Sequence, residues 1–192
     1  VTNKVKELAD GVESIMLGGF VEPQIRAQAG YTYPNIYGRA FKRTKDGQLL
    51  LDANGLPQAT AASVNLGECA PDFNMGFNLH ARYKKVSLSA TMDWQKGGCM
   101  YNGTLLTMNF FGASKESLPY HEGTMVAEGI NEATGLKNTV EVSKQDYYQA
   151  YNDVTEAGIF DTSYLKLRDV TLSYQFPKFA GIDLSVYGFA RN

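Results

Sequence analysis

Few residues in this sequence are of a type and spacing that could do chemistry. His80 and His121 are its two histidines, and neither has His, Cys or Asp partners at metal-ligand spacing. A solvated side chain is the plainer reading of both. Cys69 and Cys99 are too few for a disulfide scaffold or a four-ligand zinc site. No Gly-x-Ser-x-Gly, Walker A or His-Glu-x-x-His pattern occurs. The expectation is a chain with no catalytic residue, no metal and no cofactor. The aromatic residues offer more. Tyr147, Tyr148 and Tyr151, with Tyr101, Phe110 and Phe111, present flat faces that can stack on the rings of a sugar. The same residues can equally pack a long loop against its neighbours. Asn102-Gly103-Thr104 matches a glycosylation sequon, read here as coincidence.

Composition narrows the class of element that must position these residues. The 192 residues carry a formal charge of −2 and no Lys/Arg block, so nucleic acid is not an expected partner. No apolar run approaches the roughly 18–20 residues of a membrane-spanning helix. That leaves open membrane strands, which alternate polar and apolar residues and build no such run. Nineteen glycines, 12 tyrosines and 10 phenylalanines suit twisted strands and tight turns. Val1-Thr2-Asn3-Lys4 does not resemble a signal peptide, which fits either a cytosolic protein or an internal piece of a longer one, and the second is adopted.

The clearest elements are two strands over about 73–83 and 86–96. Phe73, Met75, Phe77, Leu79, Ala81 and Tyr83 alternate with polar or small residues, and the phase then flips to Val86, Leu88, Ala90, Met92 and Trp94. A two-residue turn at Lys84-Lys85 sets Tyr83 opposite Val86 and Met75 opposite Trp94. Apolar then meets apolar throughout, and a one-residue slip would reverse every side chain. Each strand is about 10 residues, enough to cross a bilayer at a tilt. A second hairpin is expected from 164–176 and 182–192, with Phe176 opposite Ile182, Tyr174 opposite Leu184 and Leu172 opposite Val186. Lys166 and Arg168 share the parity of Val170, so this strand is expected to leave the apolar slab there. Long loops occupy about 20–72 and 97–163, the second holding one short helix capped by Ser143 with Asp146 three residues on. Lys45-Asp46-Gly47 and Asn54-Gly55 read as tight turns. Extending the first ladder outward brings Cys69 opposite Met100, beside Cys99, within reach of a disulfide. Two unbonded thiols in loops are the alternative.

The run from Gly158 to Pro177, with Asp161-Thr162-Ser163-Tyr164 and Leu165-Lys166-Leu167-Arg168-Asp169-Val170-Thr171-Leu172-Ser173-Tyr174 at its centre, resembles a segment of SusC/RagA-like TonB-dependent outer-membrane transporters. Leu66-Gly67, Pro71-Asp72-Phe73, Gly76 and Tyr83-Lys84-Lys85-Val86 resemble a hairpin of the same family. Gly30, Pro34, Tyr37-Gly38 and Asp46-Gly47 resemble the loop before it.

The resemblance implies an all-β fold: antiparallel strands from the C-terminal part of a transmembrane β-barrel, with long extracellular loops, the plug and the closing strand lying outside residues 1–192. It implies the outer membrane of a Gram-negative bacterium and TonB-energised import of an oligosaccharide, peptide or other bulky nutrient beneath a SusD-like surface lipoprotein. Outer-membrane lipid would be a further partner, and TonB would act through parts of the protein outside this stretch. Asn74, Asn78, Arg82, Ser87, Thr91 and Asp93 would face the lumen, and Phe73, Tyr83 and Trp94 would sit in interfacial girdles. Cys69 and Cys99 would lie in an oxidising compartment. A soluble extracellular all-β binding module would show the same alternation. Such a module has to close its own core within this length.

Overall fold

The computed structural model describes residues 3–19, 21–178 and 180–192. In chain order, β1 (Ser14–Gly19), β2 (Gln24–Gln28), β3 (Asn35–Gly38), β4 (Leu50–Leu51) and β5 (Val64–Glu68) precede two long strands, β6 (Phe73–Tyr83) and β7 (Val86–Lys96). β8 (Cys99–Tyr101) leads into α1 (Gly103–Phe110), a 3₁₀ turn (Lys115–Tyr120), β9 (Thr124–Val126), β10 (Ile130–Asn131), β11 (Glu141–Ser143) and α2 (Lys144–Asn152). A second 3₁₀ turn (Thr155–Gly158) and β12 (Ile159–Asp161) lead to β13 (Tyr164–Gln175) and β14 (Ser185–Arg191). The chain forms two units, one of Val1–Ala70 and Cys99–Phe160, the other of Pro71–Gly98 and Asp161–Asn192.

The second unit is a four-stranded antiparallel sheet in the order β14-β13-β7-β6. β6 and β7 pair from Phe73↔Lys96 to Tyr83↔Val86 without a break, the register their alternation requires. Lys84, the first residue of the turn, takes φ 52°, the positive value that primed hairpin turns need at that position.

The second hairpin departs from the expected pairing by two residues. Tyr174 lies opposite Val186 and Leu172 opposite Gly188, rather than Leu184 and Val186. The Phe176 amide donates to the Leu184 carbonyl, so the loop between them is wider than a five-residue connection. Pro177 has no amide to donate, and Ala180 and Gly181 turn the chain with positive φ. A shift of two residues leaves every side chain on its face, so alternation cannot choose between the two registers.

The apolar face of β13 does not end at Val170. A β-bulge at Arg168 separates Leu167↔Met92 from Asp169↔Thr91. One extra residue reverses the parity of the strand. Leu167 and Leu165 therefore join Val170, Leu172 and Tyr174 opposite Met92, Trp94, Ala90, Leu88 and Val86. Lys166 moves to the polar face opposite Asp93, and Arg168 Nε donates to Asp93 Oδ2 at 2.6 Å. The apolar band thus runs the full length of β13 with no charged residue in it.

None of the described residues of this unit is buried, and Phe77, Leu79, Leu165, Leu172 and Val186 are about half exposed. All the buried apolar residues among those described belong to the first unit, with Ile36, Tyr37, Phe41, Leu51, Leu106, Ala127, Val142 and Val154 among them. There the sheet β1-β2-β3-β5 is accompanied by the parallel pair β10-β4 and the antiparallel pair β11-β9. The turns at 44–47 and 52–55 fold back as read from their Asp-Gly and Asn-Gly pairs, with Gly47 and Gly55 in the left-handed region.

The long segment between the hairpins holds two α-helices, not one. α2 is the expected helix, with Ser143 Oγ accepting from the Asp146 amide at 3.4 Å. α1 is the additional one. It is capped by Asn102, whose Oδ1 accepts from the Leu105 amide at 3.0 Å, so the residue of the apparent sequon is a helix cap. Its sequence, Gly-Thr-Leu-Leu-Thr-Met-Asn-Phe, has two β-branched residues, a leading glycine and no clear polar face, which hides it from periodicity.

Candidate functional site

Two neighbouring grooves in the first unit collect most of the aromatic candidates. α1 ends at Phe110, and Phe111 caps it, so both rings project from the same helix end. α2 presents Tyr148, and the 3₁₀ turn Lys115–Tyr120 brings Tyr120 against it, the two rings stacked at 4.2 Å and 9°. The first groove, of about 240 Å³, is lined by Asn109, Phe110, Phe111, Tyr120, His121, Gln145, Tyr148 and Gln149, with Gly112 and Ser117. It carries aromatic faces and side-chain amides but no acidic or strongly basic residue. The second, of about 280 Å³, shares Phe110 and Phe111 and adds Tyr101, Glu22, Arg39 and Asp153.

The six aromatic candidates therefore divide. Phe110 and Phe111 line both grooves, Tyr148 the first and Tyr101 the second. Tyr147 and Tyr151 line neither; Tyr151 packs on the buried Phe41 ring at 4.6 Å, with Tyr147 at 6.2 Å from Tyr151. Tyr101 is tightly held, since a Cβ at Gly103 or at Gly158 would stand 2.7 Å from its ring. Burial raises the hydroxyl pKa of Tyr101, Tyr147 and Tyr148 above 10, so these groups stay neutral donors at ordinary pH.

The wall of the second groove rests on an ionic cluster with no local sequence signal. Glu22 Oε2 accepts from Arg39 Nε at 2.8 Å and Thr155 Oγ1 at 3.1 Å, while Oε1 accepts from Ser63 Oγ at 2.8 Å. Burial raises the Glu22 carboxyl, but the hydrogen bonds from Arg39, Ser63 and Thr155 and the Arg39 charge outweigh it and leave its pKa below 4.5. Glu156 is a second hub, taking the Phe41 amide at 2.7 Å and a bidentate pair from Arg43 at 2.8 and 3.0 Å. The partners in these hubs lie up to 133 residues apart, so spacing could not have revealed them.

One Ser–His contact needs separate treatment. Ser117 Oγ lies 3.1 Å from His121 Nε2, and the same nitrogen lies 3.1 Å from the Gly112 carbonyl. A carbonyl only accepts, so Nε2 carries the proton and cannot act as a base towards Ser117. Ser117 Oγ in turn donates to the Ser114 carbonyl at 2.7 Å. The arrangement pins a turn. His80 lies on the polar face of β6 opposite Ser89, and no metal-holding group of His, Cys, Asp or Glu occurs among the described residues.

The polar candidates of the sheet, Asn74, Asn78, Arg82, Ser87, Thr91 and Asp93, share one face of β6 and β7. Arg82 donates to Gln175 Oε1 at 3.2 Å across the sheet. Cys69 stands as a half-buried thiol whose pKa burial pushes up. Cys99 Sγ is 2.6 Å from where a Cβ at Gly67 would lie, two residues before Cys69.

No family model matches the chain. It is 25% identical over 199 residues to the TonB-dependent receptor P3 of Formosa agariphila, an alignment that covers 92% of this chain and 19% of that relative. Its fold matches a chain of the RagAB peptide importer in the closed-closed state with a TM-score of 0.58 at 20% identity, covering 98% of this chain and 22% of that one. The chain thus spans about a fifth of the length of the proteins it matches. With the family motifs, these matches make the chain similar over nearly its whole length to a stretch of a SusC/RagA-like TonB-dependent receptor.

Proposed function

We propose that this chain forms part of the barrel wall and the outer loops of a TonB-dependent importer in the outer membrane of a Gram-negative bacterium. The observation that carries the reading is the four-stranded sheet with one apolar face, charged only where β7 ends at Lys96, and no buried residue among those described. A soluble module has to bury such a face against a second layer. A barrel wall turns it to lipid and turns its polar face to the lumen. β6 spans ten residue steps, about 33 Å, and at a tilt of about 40° covers roughly 25 Å of membrane, the height of an outer-membrane apolar band.

On this reading Asn74, Asn78, Arg82, Ser87, Thr91 and Asp93 face the lumen. The short connections 84–85 and 176–184 are periplasmic, and the segments about 20–72 and 97–163 are extracellular. The protein imports an oligosaccharide, a peptide or another bulky nutrient, with Phe110, Phe111, Tyr120 and Tyr148 contacting it. The RagAB relative is a peptide importer. A SusD-like surface lipoprotein covers the outer mouth, and TonB acts through the plug and other parts of the parent protein.

The test is fractionation of cells expressing the parent protein, followed by gel migration with and without boiling. Recovery in the outer-membrane fraction with a boiling-dependent shift is expected. A soluble parent without that shift would sink the reading in favour of the extracellular module.

A further inference from the structure

We propose that the turn end of the sheet carries a binding site for one anionic phospholipid. The inference rests on the membrane reading above and concerns a feature that reading does not use. Phe176, Pro177, Lys178, Ile182 and Leu184 line a cleft of about 490 Å³ in the β13–β14 connection. Its apolar members Phe176, Ile182 and Leu184 are 41%, 64% and 54% exposed. The cleft is framed rather than loose: the Phe176 amide donates to the Leu184 carbonyl at 2.9 Å, and Tyr174 meets Phe176 edge-on at 4.8 Å.

The charges around it have one dominant sign. The Gln175 amide donates to the Lys85 carbonyl at 2.8 Å, so the Lys84-Lys85 turn and the β13–β14 connection lie at the same end of the sheet. Lys84, Lys85 and Lys178 stand there against a single carboxylate, Asp183, which Lys178 meets at 3.4 Å with both side chains mostly exposed. An apolar cleft with Lys178 in its lining, and with Lys84 (its ammonium over the Tyr83 ring) and Lys85 at the same end of the sheet, matches a molecule with a hydrocarbon chain and a phosphate at one end. Lysine stems lie along apolar surface while their ammonium groups reach a headgroup. The cleft therefore takes an acyl chain along Phe176, Ile182 and Leu184, and the phosphate sits among Lys178, Lys84 and Lys85, drawing Lys178 from Asp183.

The test uses the detergent-purified, delipidated parent and native mass spectrometry. The probes are phosphatidylglycerol, phosphatidylcholine of the same chain length, and glycerol phosphate without acyl chains. Phosphatidylglycerol should be retained several-fold better than phosphatidylcholine. Retention should fall several-fold in Lys178→Ala, rise in Asp183→Asn and stay unchanged in Lys96→Ala, a lysine at the opposite end of β7. Heat-modifiable migration shows that each variant is folded. Equal retention of the two lipids, or wild-type retention in Lys178→Ala, would overturn the site. So would competition by glycerol phosphate as effective as by the intact lipid. A parent that stays soluble without detergent would overturn the membrane reading itself, whereas a detergent-dependent parent with no lipid preference would overturn the lipid site alone.

Discussion

Adjacent residues in the middle of β6 should respond in opposite ways to the same charge. Leu79 lies opposite Ala90 on the apolar face, and Asn78 lies opposite Thr91 on the polar face. Both are near the centre of an 11-residue strand, so in a barrel both sit near the bilayer midplane. Leu79 is 56% exposed, and an arginine there would meet whatever solvent covers that face. In hydrocarbon the cost of arginine at mid-depth is about 2–4 kcal/mol, a shift of roughly 30- to 700-fold in the folding equilibrium. On the polar face the same residue meets water and polar neighbours, and its cost should stay within about 0.5 kcal/mol. Tyr83→Arg, at the strand end, should cost only about 0–1 kcal/mol.

The assay is denaturant unfolding of the parent in phosphatidylcholine vesicles, with the folded fraction read from heat-modifiable migration. The expected order of destabilisation is Leu79→Arg far above Tyr83→Arg, with Asn78→Arg least. Were this face left in water, an exposed leucine changed to arginine would shift stability by about 0.5 kcal/mol or less. Leu79→Arg and Asn78→Arg differing by no more than that would refute the assignment of faces.

Gly38→Ala should destabilise the first unit by about 1–3 kcal/mol, because its Cβ would stand 2.5 Å from Thr155 Cγ2, whereas Gly18→Ala, with nothing within 4 Å, serves as a control in the same unfolding measurement. Glu22 is held below its unfolded pKa, so its contribution is present above pH 4.5 and is lost as pH falls through the folded value; Glu22→Gln should flatten the acid limb of the stability profile, and an unchanged limb would remove the hub from the account. In the parent recovered from cells, Cys69 and Cys99 are proposed to be joined, closing a loop of about 30 residues worth about 3–4 kcal/mol; alkylation of both thiols without prior reduction would rule this out. Phe111→Ala and Tyr148→Ala should each weaken ligand binding by the about 0.5–1.5 kcal/mol of an aromatic contact, measured by calorimetry on the parent, while Tyr151→Ala should lower stability without changing affinity. The reverse pattern would reassign the site.

What could be read from the sequence follows the number of solvents a segment must satisfy. The first hairpin has a two-residue turn and eleven pairs, and any odd slip puts apolar residues on the polar face, so one register survives. The second has a proline-containing loop, and its two-residue offset is invisible to parity. The bulge at Arg168 is invisible in another way: Lys166 and Arg168 look like intruders on an apolar face until one residue is taken out of the ladder. In the first unit the signal is weaker still. Caps on polar side chains were legible where they sit beside a helical pattern, as at Ser143, and not where the helix lacks one, as after Asn102.

The aromatic candidates show why residue type alone places a site only in part. Tyr148 and Tyr151 lie three positions apart on α2, yet one lines a groove and the other packs on Phe41. Phe41 is 115 residues upstream of Glu156, whose carboxylate takes the Phe41 amide. The face of α2 that Tyr151 occupies is thus decided by a core that exists only after distant segments meet, whereas Tyr148 is left to Tyr120 and the open groove. The first hairpin needs no such information, because its residues from Met75 to Trp94 alternate between an apolar and a polar face. Changes of ligand preference should therefore gather at Phe111, Tyr120, Tyr148 and the amides of Gln145 and Gln149. These positions can vary without disturbing either the buried core around Phe41 or the alternation of the strands.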